Sequence, residues 1–328
     1  MNEIVAYDPL RRGLKLEFRE TFHPMGTRLV VESNREAVLE AARESFGRYP
    51  AVEDSSSPQY RVRLMVDPDF AESPPWADPL FRGHGNFLHI QVGRENFAVA
   101  DLQQGIACGF VSPAMSSDSI FFRAVILECL FLVMLTHTQC TYLHASAVVW
   151  NGQAILLAGP RMAGKSTLAY ACGRCDFQIL SDDVVYIDRS RPFRIWGRPW
   201  HIRLLPDAIR FFTELRSVEP RAQINNEICL EVEVERFLPG RAIPHASAGA
   251  ILFLERGGGP TCVEELSAEE AVSRMQSDLI LDKPEVMRLH LEAWQDLARR
   301  VPAFRLRTAE DPYQTAEFVK DLCERRLA

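Results

Sequence analysis

The 328-residue chain has no long apolar run free of charge. Its most apolar stretch, SIFFRAVILECLFLVML at 119–135, carries Arg123 and Glu128, and each is costly at a bilayer centre. A buried helix is expected there, and no membrane association. The opening MNEIVAYDPLRRGLKLEF lacks the continuous apolar core of a secretory signal, being broken by Asp8, Arg11, Arg12 and Lys15, so the expected location is cytoplasmic. Eight cysteines are too few for a disulfide scaffold in a chain this long. Cys172 and Cys175 have CxxC spacing, but they fall where a helix is expected to end, whereas a redox pair belongs at a helix start. They are expected to be packing thiols. No second Cys or His pair with zinc spacing flanks them, so no structural metal is expected. A net charge of -7 gives no global attraction to nucleic acid, and no such partner is expected. Internal repeats and low-complexity tracts are also lacking.

What is present is enough apolar residue, 47% of the chain, for one large or two ordinary domains. Residues 1–112 read as a small α+β domain: TRLVVES, YRVRLMVD and FLHIQVG have strand character, and REAVLEAARESF has helical period. The polar segment SPAMSSD at 112–118 is the expected boundary and cap of the apolar helix, leaving 113–328 as the second domain. There LHASAVVW and QAILLAG flank Asn151-Gly152, the signature of a type I′ hairpin, in which both turn residues need positive φ. STLAYACG then reads as helix and FQILSDDVVYIDR as strand, acidic turn and strand. Further strands are expected at CLEVEVERF, AILFLER and AFRLR, and helices at SAEEAVSRM, PEVMRLHLEAWQDLARR and TAEFVKDLCERRL.

The second hairpin strand runs into GPRMAGKST, residues 159–167. This fits G-x-x-x-x-G-K-[ST] in the strand-to-helix context that a phosphate loop requires. Gly159, Pro160, Arg161, Met162, Ala163, Gly164, Lys165, Ser166 and Thr167 are thus the expected nucleotide-binding residues. Backbone N–H groups and the positive end of the helix would surround the phosphates. Lys165 would neutralise the β and γ phosphates of ATP, and Ser166 would offer a hydroxyl to Mg²⁺. Asp182 and Asp183 close the strand beginning near Phe177; one could hold the metal and the other accept a proton from an attacking hydroxyl. Neighbouring residues of an extended strand face opposite ways, so both serve one site only if the strand ends or bulges there. His144, at the start of the first hairpin strand, is the remaining candidate, placed to hold or tune a carboxylate base.

In this order and at this spacing, His144-Ala-Ser-Ala-Val-Val, GPRMAGKST and LSDD resemble the core of the HPr kinase/phosphorylase family, and more closely its diverged HPr-kinase-related members. The resemblance covers residues 140–190 clearly and the rest of the second half weakly. It implies an α/β fold, a P-loop kinase domain of the HPr kinase and phosphoenolpyruvate carboxykinase type, behind the smaller N-terminal α+β domain. It also implies Lys165 and Ser166 serving ATP and Mg²⁺, Asp182 as base with His144 beside it, and Asp183 as metal ligand. Bifunctional members carry an additional loop glycine where this chain has Met162, and a glutamate where it has Thr167. Their downstream L-E-I-R-G survives only as HIRLL, with Arg203 at the arginine and His201 at the glutamate. These departures argue against phosphate-driven reversal and against HPr itself as acceptor.

The expected activity is transfer of the γ-phosphoryl group of ATP to a serine or threonine hydroxyl of a small protein or peptide, with a homo-oligomer allowed. A kinase for a small hydroxyl metabolite has the same chemistry with an enclosed acceptor pocket. An ATP-binding switch without transfer is the alternative of another class, and a pure binding module has no need of a base.

Overall fold

The computed structural model describes residues 16–52, 57–191, 194–224, 227–257, 259–275 and 283–326. The described residues fold as mixed α/β with three sheets. The chain divides into two compact units, 1–138 and 139–328. The division thus falls after the apolar helix, whereas the sequence expectation placed it before, at 112/113.

In the first unit the strands are β1 (Phe18–Phe22), β2 (Arg28–Ser33), β3 (Gln59–Val66), β4 (Leu80–His84), β5 (Phe87–Val92), β6 (Asn96–Asp101) and β7 (Ile106–Val111), in the order β1-β2-β3-β7-β6-β5-β4. Tyr60, Val62, Leu64 and Val66 of β3 point inward and are buried, while Gln59 and Arg63 face out, the period-two pattern of a sheet with one covered face. That face is covered by α1 (Glu36–Phe46) and by a helical run following α2 (Pro113–Ser117). The run comprises α3 (Ser119–Phe122), a π turn over Arg123–Leu127 and α4 (Glu128–Thr138). Phe131 packs edge-on against Phe46 and Tyr60, ring centroids 5.2 and 5.6 Å away. By length and composition Ser119–Thr138 could cross a membrane, but only Ile120, Ala124 and Thr138 are exposed, and buried Glu128 accepts a hydrogen bond from Ser45 Oγ at 2.8 Å. Asp118 caps the run, accepting from Phe121 N.

The second unit is built on a nine-stranded sheet. Its strands are β8 (Cys140–Leu143), β9 (Ala145–Trp150), β10 (Gln153–Ala158), β11 (Gln178–Ser181), β12 (Val185–Asp188), β13 (Arg194–Trp196), β17 (His245–Arg256), β18 (Cys262–Leu266) and β19 (Ala303–Thr308). The main path is β11-β9-β10-β17-β13-β12-β8, and β19 joins β17 and carries β18. A small sheet, β14 (His201–Leu204), β16 (Ile228–Glu233) and β15 (Arg221–Ala222), completes the unit. β10, β17 and β19 run parallel. Both faces of the large sheet are covered, which is why β9 and β10 are almost continuously apolar. One side packs on α5 (Lys165–Arg174), the small sheet and α9 (Pro312–Arg326). The other packs on α7 (Ala268–Met275) and α8 (Pro284–Arg300); α6 (Val234–Phe237) is a single turn. Asn151 and Gly152 take φ of 48° and 80° between the antiparallel β9 and β10, as the hairpin reading requires. Cys172 lies in the last turn of α5 and Cys175 just beyond it. Both are free thiols whose pKa burial pushes up, that of Cys175 to about 11.

Candidate functional site

β10 delivers the chain into a tight loop, Gly159–Gly164, that opens α5. Gly159 has φ 144° and lies against β17, where a Cβ would stand 3.0 Å from Leu254 O. Gly164, at φ 93°, is the N-cap of α5. Met162 adopts φ 68° with its side chain exposed. Ala163 N closes a turn on Pro160 O at 3.1 Å. Lys165 is the first helical residue and only 8% exposed. Its ammonium donates to Gly159 O at 2.9 Å and Pro160 O at 3.2 Å, so it sits over the loop. The first-turn amides of a helix have no intrahelical acceptor, and the helix dipole adds positive potential there. Arg161 pairs with Glu227, ahead of β16, at 2.9 Å.

The acidic pair lies just beyond β11, which ends at Ser181, with a register shift against β9 between Ile179 and Ser181. The strand therefore stops before the aspartates, and Asp183 takes φ 75°. This break frees both carboxylates from strict alternation. The chain also runs from β8 to β9 through His144 alone, and from β11 to β12 through Asp182–Val184, so these two connections lie side by side at one level of the sheet.

Asp182 is tightly held. Ser146 Oγ donates to its Oδ1 at 3.0 Å and Arg203 N to its Oδ2 at 2.9 Å. Burial pushes its pKa above the usual aspartate value, with the Asp183 charge adding to the rise, against the opposing hydrogen bonds from Arg203 N–H and the Ser166 and Ser146 hydroxyls. Asp183 faces outward: its Oδ1 lies 3.2 Å from His144 Nδ1, and the two side chains are 57% and 35% exposed.

The fold thus brings Ser166 to Asp182 and His144 to Asp183, with Lys165 on the adjoining loop. Arg203 takes part through its backbone N–H, while its side chain is exposed. Ser146 is fully buried and was given no role from sequence. The signal was available, since it stands two residues after His144 at the start of the same strand, where a strand returns to the same face.

No protein-family model matches the chain, and no curated protein matches it. Among solved structures, the Hpr(Ser) kinase/phosphatase from Coxiella burnetii is similar over 57% of this chain and 99% of its own, with 11% identity and a TM-score of 0.30. That likeness marks a distant relationship at most.

Proposed function

We propose that the chain is an ATP-dependent phosphotransferase that moves the γ-phosphoryl group to a serine or threonine hydroxyl of a small protein or peptide. The observation that carries this reading is the division of labour at the acidic pair: one carboxylate held by the Ser146 hydroxyl and Arg203 N–H, the other open to solvent and paired with a histidine. A binding module has no use for the second.

The nucleotide phosphates lie along residues 159–167 in this reading, held by loop amides and the start of α5. Lys165 follows the charge of the γ-phosphoryl group as it moves. Asp182 and Ser166 fit Mg²⁺: an oxygen pair in which burial disfavours the carboxylate's charge gains most from a cation beside it. When bound, Mg²⁺ neutralises charge developing on the phosphate oxygens. Asp183 takes the proton of the acceptor hydroxyl as its oxygen attacks phosphorus, and His144 orients that carboxylate. The bonding pattern therefore favours the reverse of the sequence expectation, with Asp183 as base and Asp182 as metal ligand.

Incubation with labelled ATP and a cell extract, followed by mass spectrometry of the labelled species, tests the reading. Phosphoserine or phosphothreonine on a polypeptide, stable to added phosphate, is expected. A phosphorylated metabolite would make the chain a small-molecule kinase, and ATP binding without transfer would make it a nucleotide-binding protein. Release of pyrophosphate on adding phosphate would show the reverse reaction that the altered HIRLL segment argues against.

A further inference from the structure

The helices of the N-terminal unit cover one face of its sheet, and nothing in the catalytic reading uses the other. Strand alternation buries Ala98, Ala100 and Ala107 on the covered side and turns their neighbours in β6 and β7 outward. Phe97 and Ile106 are 43% and 47% exposed, and Phe97 stacks on Phe110 at 5.5 Å. Cross-strand registers set three outward rows over β6, β7 and β3. The first holds Phe97, Phe110 and Met65, the second Val99, Cys108 and Arg63, the third Asp101, Ile106 and Arg61. A contiguous exposed apolar face of this kind marks an interaction site.

The arrangement about β7 points to what covers it. β7 carries no charge on this face, and the strands on either side of it carry complementary groups at the same level. Where β6 has an acid, Asp101, β3 has a base, Arg61; where β6 has Phe97, β3 has Met65. Asp101 Oδ1 accepts from Gln103 N and Gln104 N, and among the described residues neither Asp101 nor Arg61 forms an ion pair. A two-fold axis running along β7 lays β6 of one copy on β3 of the other and keeps every row at its level. Asp101 then meets the partner's Arg61, and the symmetry repeats the pair on the other side of the axis. Phe97 packs on the partner's Met65, and Ile106 and Phe110 each pack on their own counterparts. Arg63, whose head is held by Glu32 at 3.1 Å, lays its aliphatic stem on the partner's Val99.

We infer that two copies of this chain associate through this face, sheet against sheet, about that axis. Sheets stacked face to face lie ~10 Å apart with their strands turned by about 30°. On a strand next to the axis, about 4.8 Å away, that turn displaces a residue by about 2.4 Å, less than half the ~6.7 Å between successive rows. The match of Asp101 with Arg61 survives it. Farther out the rows part, and the exposed Arg19 and Arg82 of the marginal strands stay in solvent. From β5 to β2 the face spans roughly 24 by 20 Å, which with its counterpart comes to about 1,000 Å², enough for a specific contact of modest affinity. An unrelated partner has no need of acid and base mirrored about one strand, whereas a second copy does. The inference is independent of the phosphotransferase reading.

The test is sedimentation velocity of the full chain over about 1–100 μM, together with cross-linking by bis-maleimidoethane. A dimer is expected. The two Cys108 residues face each other at the axis across ~10 Å, too far for a disulfide but within reach of the cross-linker. A cross-linked dimer should therefore form and Cys108→Ser should lose it, although Cys262 is exposed as well. Ile106→Glu and Arg61→Asp, both surface changes, should each weaken association at least about tenfold. Adding Asp101→Lys to Arg61→Asp exchanges acid and base and should restore it. A monomer throughout the concentration range overturns the inference, and one that sediments with phosphatidylglycerol vesicles overturns it in favour of a lipid surface. A dimer unaffected by Ile106→Glu, a cross-link that survives Cys108→Ser, or an exchange that restores nothing overturns it too. Cross-linking the parent decides the matter even if Ile106→Glu fails to fold.

Discussion

Replacing Gly159 and Gly164 separately with alanine should separate two demands that the loop places on its glycines. At Gly164 a Cβ meets nothing within 4 Å, and only the φ of 93° opposes it. A non-glycine residue in that region costs about 1–2 kcal/mol, of which alanine's smaller unfolded-state entropy returns about 0.4–1 kcal/mol. A net loss near 1 kcal/mol is therefore expected. At Gly159 the φ of 144° lies in a region almost confined to glycine, and the new Cβ also stands 3.0 Å from Leu254 O and 3.3 Å from Ala163 Cβ. Leu254 belongs to β17, hydrogen-bonded to strands on both sides, and cannot yield cheaply. Backbone strain of about 1–3 kcal/mol and overpacking of about 1–3 kcal/mol together give an expected loss of roughly 2–6 kcal/mol, before the same unfolded-state return of about 0.4–1 kcal/mol. Urea unfolding followed by tryptophan fluorescence reads this well, because Trp150, Trp196, Trp200 and Trp294 lie in the second unit and only Trp76 in the first. Gly164→Ala should keep its fold yet lose about tenfold in ATP affinity, since the changed φ rotates the amides that open α5. Equal destabilisation by the two substitutions, within about 0.5 kcal/mol, would refute the argument that β17 confines Gly159.

Lys165→Ala should fold normally while losing both ATP affinity, by calorimetry, and turnover, by about a hundredfold or more. Asp183→Asn should still bind Mg·ATP but transfer about 10²–10⁴ times more slowly in single-turnover assays. Asp182→Asn should instead raise the Mg²⁺ concentration needed for half-maximal nucleotide binding, and the opposite outcome would restore the order expected from sequence. Asp182 also carries a pH signature. Its pKa is raised in the folded state, so the native protein holds that proton longer than the unfolded chain does. Stability is then lost as pH rises from the ordinary aspartate value of about 4 through the raised native one. In metal-free buffer the parent should therefore lose stability relative to Asp182→Asn as pH rises from about 4 to 7, measured as the difference in urea midpoint, and Mg²⁺ should reduce the gap.

The glycine-rich loop was legible because its parts are local: Asn151-Gly152 fixes the hairpin, and the hairpin fixes where Gly159 emerges. The acidic pair was legible in kind but not in orientation. Asp183 escapes strand alternation by a φ of 75°, and no residue type in LSDD announces that conformation. β17 begins at His245, ten residues before Glu255, through HASAGA, whose small residues have little strand preference of their own and are held by β10 and β13. β4 lies in the Pro- and Gly-rich stretch that reads as turns. The domain boundary was missed because an apolar helix does not reveal which sheet it covers; the partners of Phe131 decide that, and they lie 71 and 85 positions back in sequence, at Tyr60 and Phe46.

The pairing that sets His144 beside Asp182–Val184 also bears on how the protein folds. β8 and β11 stand at opposite ends of the sheet's main path, yet β8 runs on into β9 and β11 into β12, and these two lengths of chain pair with each other. Bringing His144 to Asp183 requires β11 to be seated on β9 and β12 on β8, segments roughly 40 residues apart in the chain. Contacts of that sequence separation form late, whereas the β9–β10 hairpin can form early. Weakening that pairing should chiefly hasten unfolding, and weakening the hairpin should slow folding: the glycine-rich loop is born before the half of the site that holds the acidic pair.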